Sequence, residues 1–298
     1  NALLYDPFEN IIHDFVGGQD DIKNQIIRTV GDPKQRFAED RLRMLRAVRF
    51  VAQLKNFHID FDTQDAIEES AHFIFMVSKE RITQELSKIW TSIDPSMGWL
   101  ELKQLGLMTH IFPYLDLGKD GPLLLWPLEE LAVQPISNDD KEAIGWALTL
   151  ADIGPLHRSK LAEERLRSSL RLTNKQIKRV LALHEAREFL RHGDMSSAKA
   201  VKLLLSPDAD LFKAFQKVVS SYDSDDRAAV IKAFEKTAQR LIDEPLPLDQ
   251  IPSGSDLLDK FQGSTLGKVL RLAEDSILER RAHWKSDAIE MALGELGL

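Results

Sequence analysis

Every strand-like run in this chain falls in its first thirty residues, and from Pro33 to the C-terminus the pattern is helix after helix. The β-prone runs at 2–5, 11–15 and 26–30 are short and are broken by Asp6-Pro7 and Gly17-Gly18, the punctuation of strands and turns. Strands this few and short cannot close a domain, so they read as the trailing edge of a larger sheet. Beyond Gly31-Asp32-Pro33, segments rich in Leu, Met, Ala, Arg and Glu favour helix. Helices are expected over 39–55, 63–71 (Thr63 as N-cap), 78–90 (Ser78 as N-cap) and 95–105, stopping at Gly106. More are expected at 139–150, 159–170, 174–191, 196–205, 209–220, 226–243, 256–262 and 265–293. Proline- and glycine-containing seams at 116–135 and 244–255 interrupt them. The fold class is mainly α, helical domains following a short β-rich remnant.

The chain has no cysteine, which removes disulfides, thiolate zinc sites and cysteine nucleophiles together and suits a cytoplasmic setting. No apolar run nears the roughly 20 residues that span a bilayer, so no membrane partner is expected. The opening NALLYDPFENIIHDF is acidic and lacks the regions of a secretory signal. Net charge is −8, but it is unevenly spread: residues 34–55 carry seven basic side chains against two acidic ones, and 157–191 carry ten Lys or Arg against four Glu. Two basic islands in an acidic chain suit localised contact with a polyanion, and equally suit solvated helix faces.

The richest words are GDPKQRFAEDRLRMLRAVRF at 31–50. Asp40, Arg43, Arg46 and Arg49 recur every third residue, a slowly drifting stripe on the helix expected at 39–55. One carboxylate beside three guanidiniums leaves positive charge that internal pairing cannot cancel. Asp only accepts hydrogen bonds and Arg donates in a planar fork, so side by side they can meet the polar edge of a nucleobase. The alternative is an exposed ion pair worth a few tenths of a kcal/mol.

The run resembles the Glu-Asp-x-x-Arg template helix of the class II tRNA nucleotidyltransferase family, which includes CCA-adding enzymes and bacterial poly(A) polymerases. Neighbouring words match in order. Asn1-Ala2 resemble the end of an Arg-Arg-Asp-Phe-Thr-x-Asn-Ala motif, Asp14-Phe15-Val16-Gly17-Gly18 with Asp20-Asp21-Ile22 the hinge between head and neck, and Ser78-Lys79-Glu80-Arg81-Ile82 with Glu85-Leu86 the neck motif behind the template. The stretch 247–281 resembles the closing Pro-x-x-x-Gly-x-Asp-Leu unit, with Ser253-Gly254-Ser255 where a shorter turn is usual.

The resemblance implies an edge of an α/β nucleotidyltransferase head and hinge over 1–31, a nucleotide-selecting neck over 32–115, a body over 116–195 and a tail over 196–298. Asp40 and Arg43 would read the base of ATP or CTP, and Arg46 and Arg49 would hold that nucleotide. Asn1, Glu39, Glu80 and Arg81 would support them, with Arg28 structural. The partner would be the acceptor end of tRNA. The family's Mg²⁺ is held by an Asp-x-Asp pair in the head, for which no residue here substitutes: Asp20-Asp21, Asp139-Asp140 and Asp225-Asp226 are adjacent acids, and Asp60-x-Asp62 suits a helix cap. This chain therefore carries no expected catalytic or metal residue. Leu150-Ala151-Asp152-Ile153-Gly154-Pro155 resembles the His-Asp core of a phosphohydrolase helical unit, but Ala151 replaces the metal-binding His, so hydrolysis is not expected and His184 is a packing or surface residue. Expected activities are CCA, CC or A addition to tRNA, with polyadenylation or non-catalytic RNA binding as alternatives.

Overall fold

The computed structural model describes residues 3–113, 125–150, 167, 170–192, 198–220, 226–257 and 260–298. The chain divides into two compact units, Asn1–His184 and Glu185–Leu298. Among the described residues no helix is long and apolar enough to cross a membrane.

The first unit opens with an antiparallel hairpin, β1 (Leu3–Asp6) and β2 (Ile11–Asp14). A short helix α1 (Gly18–Lys23) stands where turns were expected. Asp14 explains it: its carboxylate accepts from the backbone N–H groups of Gln19 at 2.8 Å, Gly18 at 2.9 Å and Val16 at 3.1 Å. Those bonds satisfy donors that begin a helix and hold the Asp14 carboxyl below its ordinary range. Strand β3 (Ile26–Ile27) pairs in parallel with an unanticipated β4 (His58–Ile59), a two-residue ladder too short to leave a pattern in the sequence.

Helix α2 (Pro33–Glu39) starts as Gly31-Asp32-Pro33 dictates, with Asp32 accepting from Gln35 N–H and proline in the first turn. The helix expected over 39–55 starts later than expected, and α2 ahead of it was not anticipated. The chain leaves helix at Asp40 (φ −149°, ψ 104°) and resumes as α3 (Leu42–Gln53). Asp40 Oδ1 accepts from Leu42 N–H at 3.1 Å, so the carboxylate rewards the break it sits in, the usual reason Asp favours helix ends over interiors.

Beyond it come α4 (Phe61–Ser70), a 3₁₀ turn Ala71–Met76, α5 (Lys79–Trp90), α6 (Pro95–Gln104), α7 (Leu107–Ile111), α8 (Leu125–Val133) and α9 (Asn138–Leu150). Asp60 caps α4 through Thr63 N–H, Ser78 caps α5 through Arg81 N–H, and Gly106 takes left-handed φ (70°) after α6. The capping reading of Asp60 thus holds, while Thr63 is the capped residue and not the cap.

Helix α3 packs on α5 and α6, and α5 packs on α9. At their centre Trp90 is wholly buried against Trp99 (ring centroids 5.6 Å apart) and Trp146 (5.9 Å, edge-on). A Cβ at Gly145 would lie 2.6 Å from Trp90 Cβ and 2.7 Å from its Cγ, so α9 approaches α5 only because that position is glycine. Gly145→Ala is expected to destabilise the protein by about 1–2 kcal/mol net, overpacking outweighing alanine's better helix propensity. Urea unfolding checks this, and an unchanged or raised midpoint would contradict it.

Helix α10 (Asn174–His192) continues the chain, and the second unit holds α11 (Ala198–Leu205), α12 (Ala209–Ser220), α13 (Asp226–Asp243), α14 (Gly263–Leu278) and α15 (Lys285–Leu296). The 3₁₀ turn Gly254–Asp256, capped by Ser253, ends where a helix over 256–262 was expected, and residues 258 and 259 of that span lie outside the described residues. The helix expected over 265–293 breaks where Arg280 takes φ 58°. Arg281 N–H reaching back to Ser276 O at 2.8 Å closes that break, so α14 and α15 fold against each other around Val269, Ala273, Ile277, Ala288 and Ala292.

Candidate nucleotide site

The parting of α2 from α3 gathers basic side chains around a cavity of about 250 Å³. Arg28, Arg36, Arg43 and Arg46 line it, with Ile27, Val30, Phe37, Ala47 and Phe50 supplying apolar surface and Thr29 and Thr63 hydroxyls. It is smaller than the roughly 300–1,000 Å³ clefts that enclose whole small ligands, so it suits one part of a larger anionic molecule.

Three of the four guanidiniums have anionic partners. Arg28 lies 2.9 Å from Asp21 and 3.6 Å from Asp60, and the Asp21 hydrogen bond raises its pKa above the ordinary value. Glu39 Oε2 takes both Arg36 Nη1 at 2.8 Å and Arg43 Nη1 at 3.0 Å, and the same Arg43 nitrogen donates to Arg36 O at 3.2 Å. The Nε and Nη2 of Arg43 make no hydrogen bond to described residues. Arg46 is half-buried and has no hydrogen bond or ion pair to any described residue. A guanidinium partly withdrawn from water and left unmatched is electrostatically unfinished; an anion entering the cavity would complete it.

Asp40 stands at the break rather than among the cavity-lining residues. Arg81 Nη2 from α5 lies 3.1 Å from Oδ2 and 3.4 Å from Oδ1, so Arg81 supports Asp40 directly. Glu80 meets Arg171 at 3.6 Å, both well exposed. Glu39 braces Arg43 as described. Asn1 lies outside the described residues.

Arg49 is elsewhere. Its Nε lies 3.0 Å from Glu85 Oε2 with side-chain exposures of only 13% and 8%, and its guanidinium sits 4.6 Å from the Phe50 ring centroid. The structure therefore brings Arg43 and Arg46 to the cavity, Asp40 next to it, and Arg49 into a buried ion pair with α5. Sequence reasoning missed Arg36 as a lining residue. The signal was its place in the basic run immediately before Glu39.

Of the acidic pairs, Asp225 and the side chain of Asp226 lie outside the described residues. Asp21 pairs with Arg28, Asp139 with Lys175 and Asp140 with Arg179. Among the described residues no three His, Asp or Glu side chains converge as metal ligands. The segment 151–155, with Ala151 in place of the family His, lies outside the described residues. His184 lies in α10 and interacts with neighbouring residues.

Residues 56–118 match the family described as the probable RNA- and SrmB-binding site of polymerase A. The whole chain is 29% identical over 309 residues to the CCA-adding enzyme of Bacillus cytotoxicus, spanning 71% of it. A CCA-adding enzyme of Geobacillus sp. is 44% identical over 111 residues, 37% of this chain and 27% of that one. Among solved structures, the Bacillus stearothermophilus CCA-adding enzyme in complex with CTP superposes with TM-score 0.74 at 23% identity, over 99% of this chain and 71% of that one.

Proposed function

We propose that the chain is a member of the CCA-adding enzyme family, which it resembles along its whole length, and that it selects the CTP or ATP to be joined to the 3′ end of a tRNA. The observation that carries this is Asp40 beside Arg43 at the parting of α2 and α3, with Arg46 unmatched in the adjoining cavity. Cytosine and adenine both present an exocyclic amino donor next to a ring-nitrogen acceptor. A carboxylate accepting from the amino group and a guanidinium donating to the ring nitrogen fit both bases. Uracil and guanine present a carbonyl oxygen at the amino position, which a carboxylate repels.

Leu42 N–H and Arg81 occupy Oδ1 of Asp40, and Arg81 also reaches Oδ2. Oδ2 keeps capacity for one more donor, since each carboxylate oxygen has about two acceptor sites. Arg43 offers its free Nε and Nη2. Arg46 takes an anionic part of the same nucleotide. Arg49, its charge already matched and out of solvent, we assign to fixing α3 on α5.

The chain spans 71% of the Bacillus cytotoxicus relative, and no residue of it is assigned to the Mg²⁺ of the family's chemistry or to bond formation. The finer division into head edge, hinge, neck, body and tail is part of the same proposal, as are the grip on tRNA by body and tail and a cytoplasmic location. The test uses the protein expressed from its complete gene, a tRNA lacking its CCA end, and CTP and ATP supplied singly and together. Addition of C, C and then A is expected. Runs of A on any RNA 3′ end would favour polyadenylation instead, the reading to which the polymerase A match over 56–118 lends weight.

Arg46→Ala is expected to weaken CTP and ATP alike by about tenfold or more, the worth of a charge-assisted hydrogen bond, as read by equilibrium dialysis. Weakening of only one nucleotide would assign Arg46 to the base instead.

A further inference from the structure

We propose that Arg41 and Phe73 are positioning residues for the turn that carries Asp40, and that their contact sets how sharply the site rejects wrong nucleotides. This rests on Asp40 and Arg43 being the base-reading pair. The parting of α2 and α3 is only two residues long: Asp40 is extended and Arg41 already helical (φ −61°, ψ −24°). A turn so short transmits any movement of Arg41 to both neighbours that matter, Asp40 before it and Arg43 after it.

Arg41 offers no side-chain cap to α3, and no carboxylate among the described residues pairs with it. Its guanidinium carbon instead lies 4.6 Å from the centroid of the Phe73 ring, well within the range at which a ring face attracts a cation. Phe73 is a firm platform. It lies in the 3₁₀ turn Ala71–Met76, half-buried, with Ala71 and Ile74 buried near it and the His72 ring 3.9 Å from its own. The 3₁₀ turn in turn packs against α7.

The turn is thus tied twice, to α5 through the Asp40–Arg81 ion pair and to the 3₁₀ turn through Arg41 on Phe73. The first tie holds a side chain, and the second holds the backbone next to it. Reading a base by hydrogen bonds requires acceptor and donor to be held within about 0.5 Å of the productive geometry. Releasing the second tie lets the Asp40–Arg43 spacing vary, and wrong bases then find arrangements in which they fit.

The test measures kcat/KM for CTP, ATP, UTP and GTP on a tRNA lacking its CCA end, with the protein expressed from its complete gene. The variants are Arg41→Met, Arg41→Lys, Phe73→Leu and the Met/Leu double, with Asp40→Ala as reference. Arg41→Met keeps a long side chain and removes the charge, while Arg41→Lys keeps a cation over the ring. Arg41→Met and Phe73→Leu are each expected to lower the ratio of right to wrong nucleotides about three- to tenfold, the reach of one cation–π contact. The double variant should lose no more than either single one, and Arg41→Lys should recover most of the ratio.

An unchanged ratio in both single variants, a parallel loss for all four nucleotides, or a double loss equal to the product of the singles would each overturn the proposal. If Phe73→Leu does not fold, the Met and Lys variants at Arg41 decide alone. Loss of selection in Asp40→Ala but not in Arg41→Met sinks only this inference. Intact selection in Asp40→Ala sinks the template reading and this one with it.

Discussion

Asp40→Asn, offered all four nucleotides on a tRNA lacking its CCA end, is expected to admit UTP and GTP about ten- to hundredfold more readily, since a bidentate base contact is worth about 1–3 kcal/mol of discrimination. The amide is the sharper variant because it preserves the helix cap, although it too takes the counter-charge from Arg81. Asn caps helices about as well as Asp, so the bond from Leu42 N–H at 3.1 Å can survive. What changes is that a pure acceptor gains an N–H₂ donor, which the carbonyl of uracil or guanine can accept. Asp40→Ala should lose discrimination too, but it also removes the cap and the partner of Arg81, so its folding midpoint must be measured alongside. Wild-type rejection of UTP and GTP by Asp40→Asn and Asp40→Ala together would end the template role.

The second large effect concerns stability. Glu85→Ala is expected to destabilise the protein by about 3–5 kcal/mol, because it leaves a buried guanidinium without its counter-charge. Arg49 and Glu85 are 13% and 8% exposed and lie 3.0 Å apart, and Lys88, at 2.8 Å from the other Glu85 oxygen, is half in solvent and can rehydrate. At about 2–4 °C per kcal/mol for a unit of this size, the melting temperature should fall by roughly 10 °C. Replacing both partners together, Arg49→Met with Glu85→Leu, should restore most of it, since a buried ion pair is often worth no more than well-packed apolar groups. A Glu85→Ala variant within the error of wild type would mean that Arg49 finds water or another acid.

These two positions also mark what could be read from the sequence and what could not. That Arg43 and Arg46 share one side of α3 was legible because residue type and spacing are local. The caps at Asp60, Ser78 and Gly106 were legible for the same reason. The break at Asp40 was hidden because residues 33–39 and 42–53 are each good helix, and one residue of extended backbone changes neither pattern. Only the cap bond to Leu42 N–H decides it, and that bond forms after the turn exists. The fate of Arg49 was out of reach, since its partner lies thirty-six positions away and nothing in a helical stripe says which of its members faces another helix. In the second unit the run over 265–293 concealed a reversal at Arg280, where a non-glycine residue adopts left-handed φ with no glycine or proline to announce it.

The indole cluster has a spectroscopic consequence. Trp90, Trp99 and Trp146 emit from a dry interior in the first unit, whereas Trp284 in the second is 64% exposed, so their fluorescence differs in wavelength and in access to a dissolved quencher. None of these four lines the cavity beside Asp40. With Trp126, whose side chain lies outside the described residues, replaced by Phe, emission from the buried cluster should report whether the first unit is folded, so that a change in base choice can be told from a loss of fold in a single cuvette.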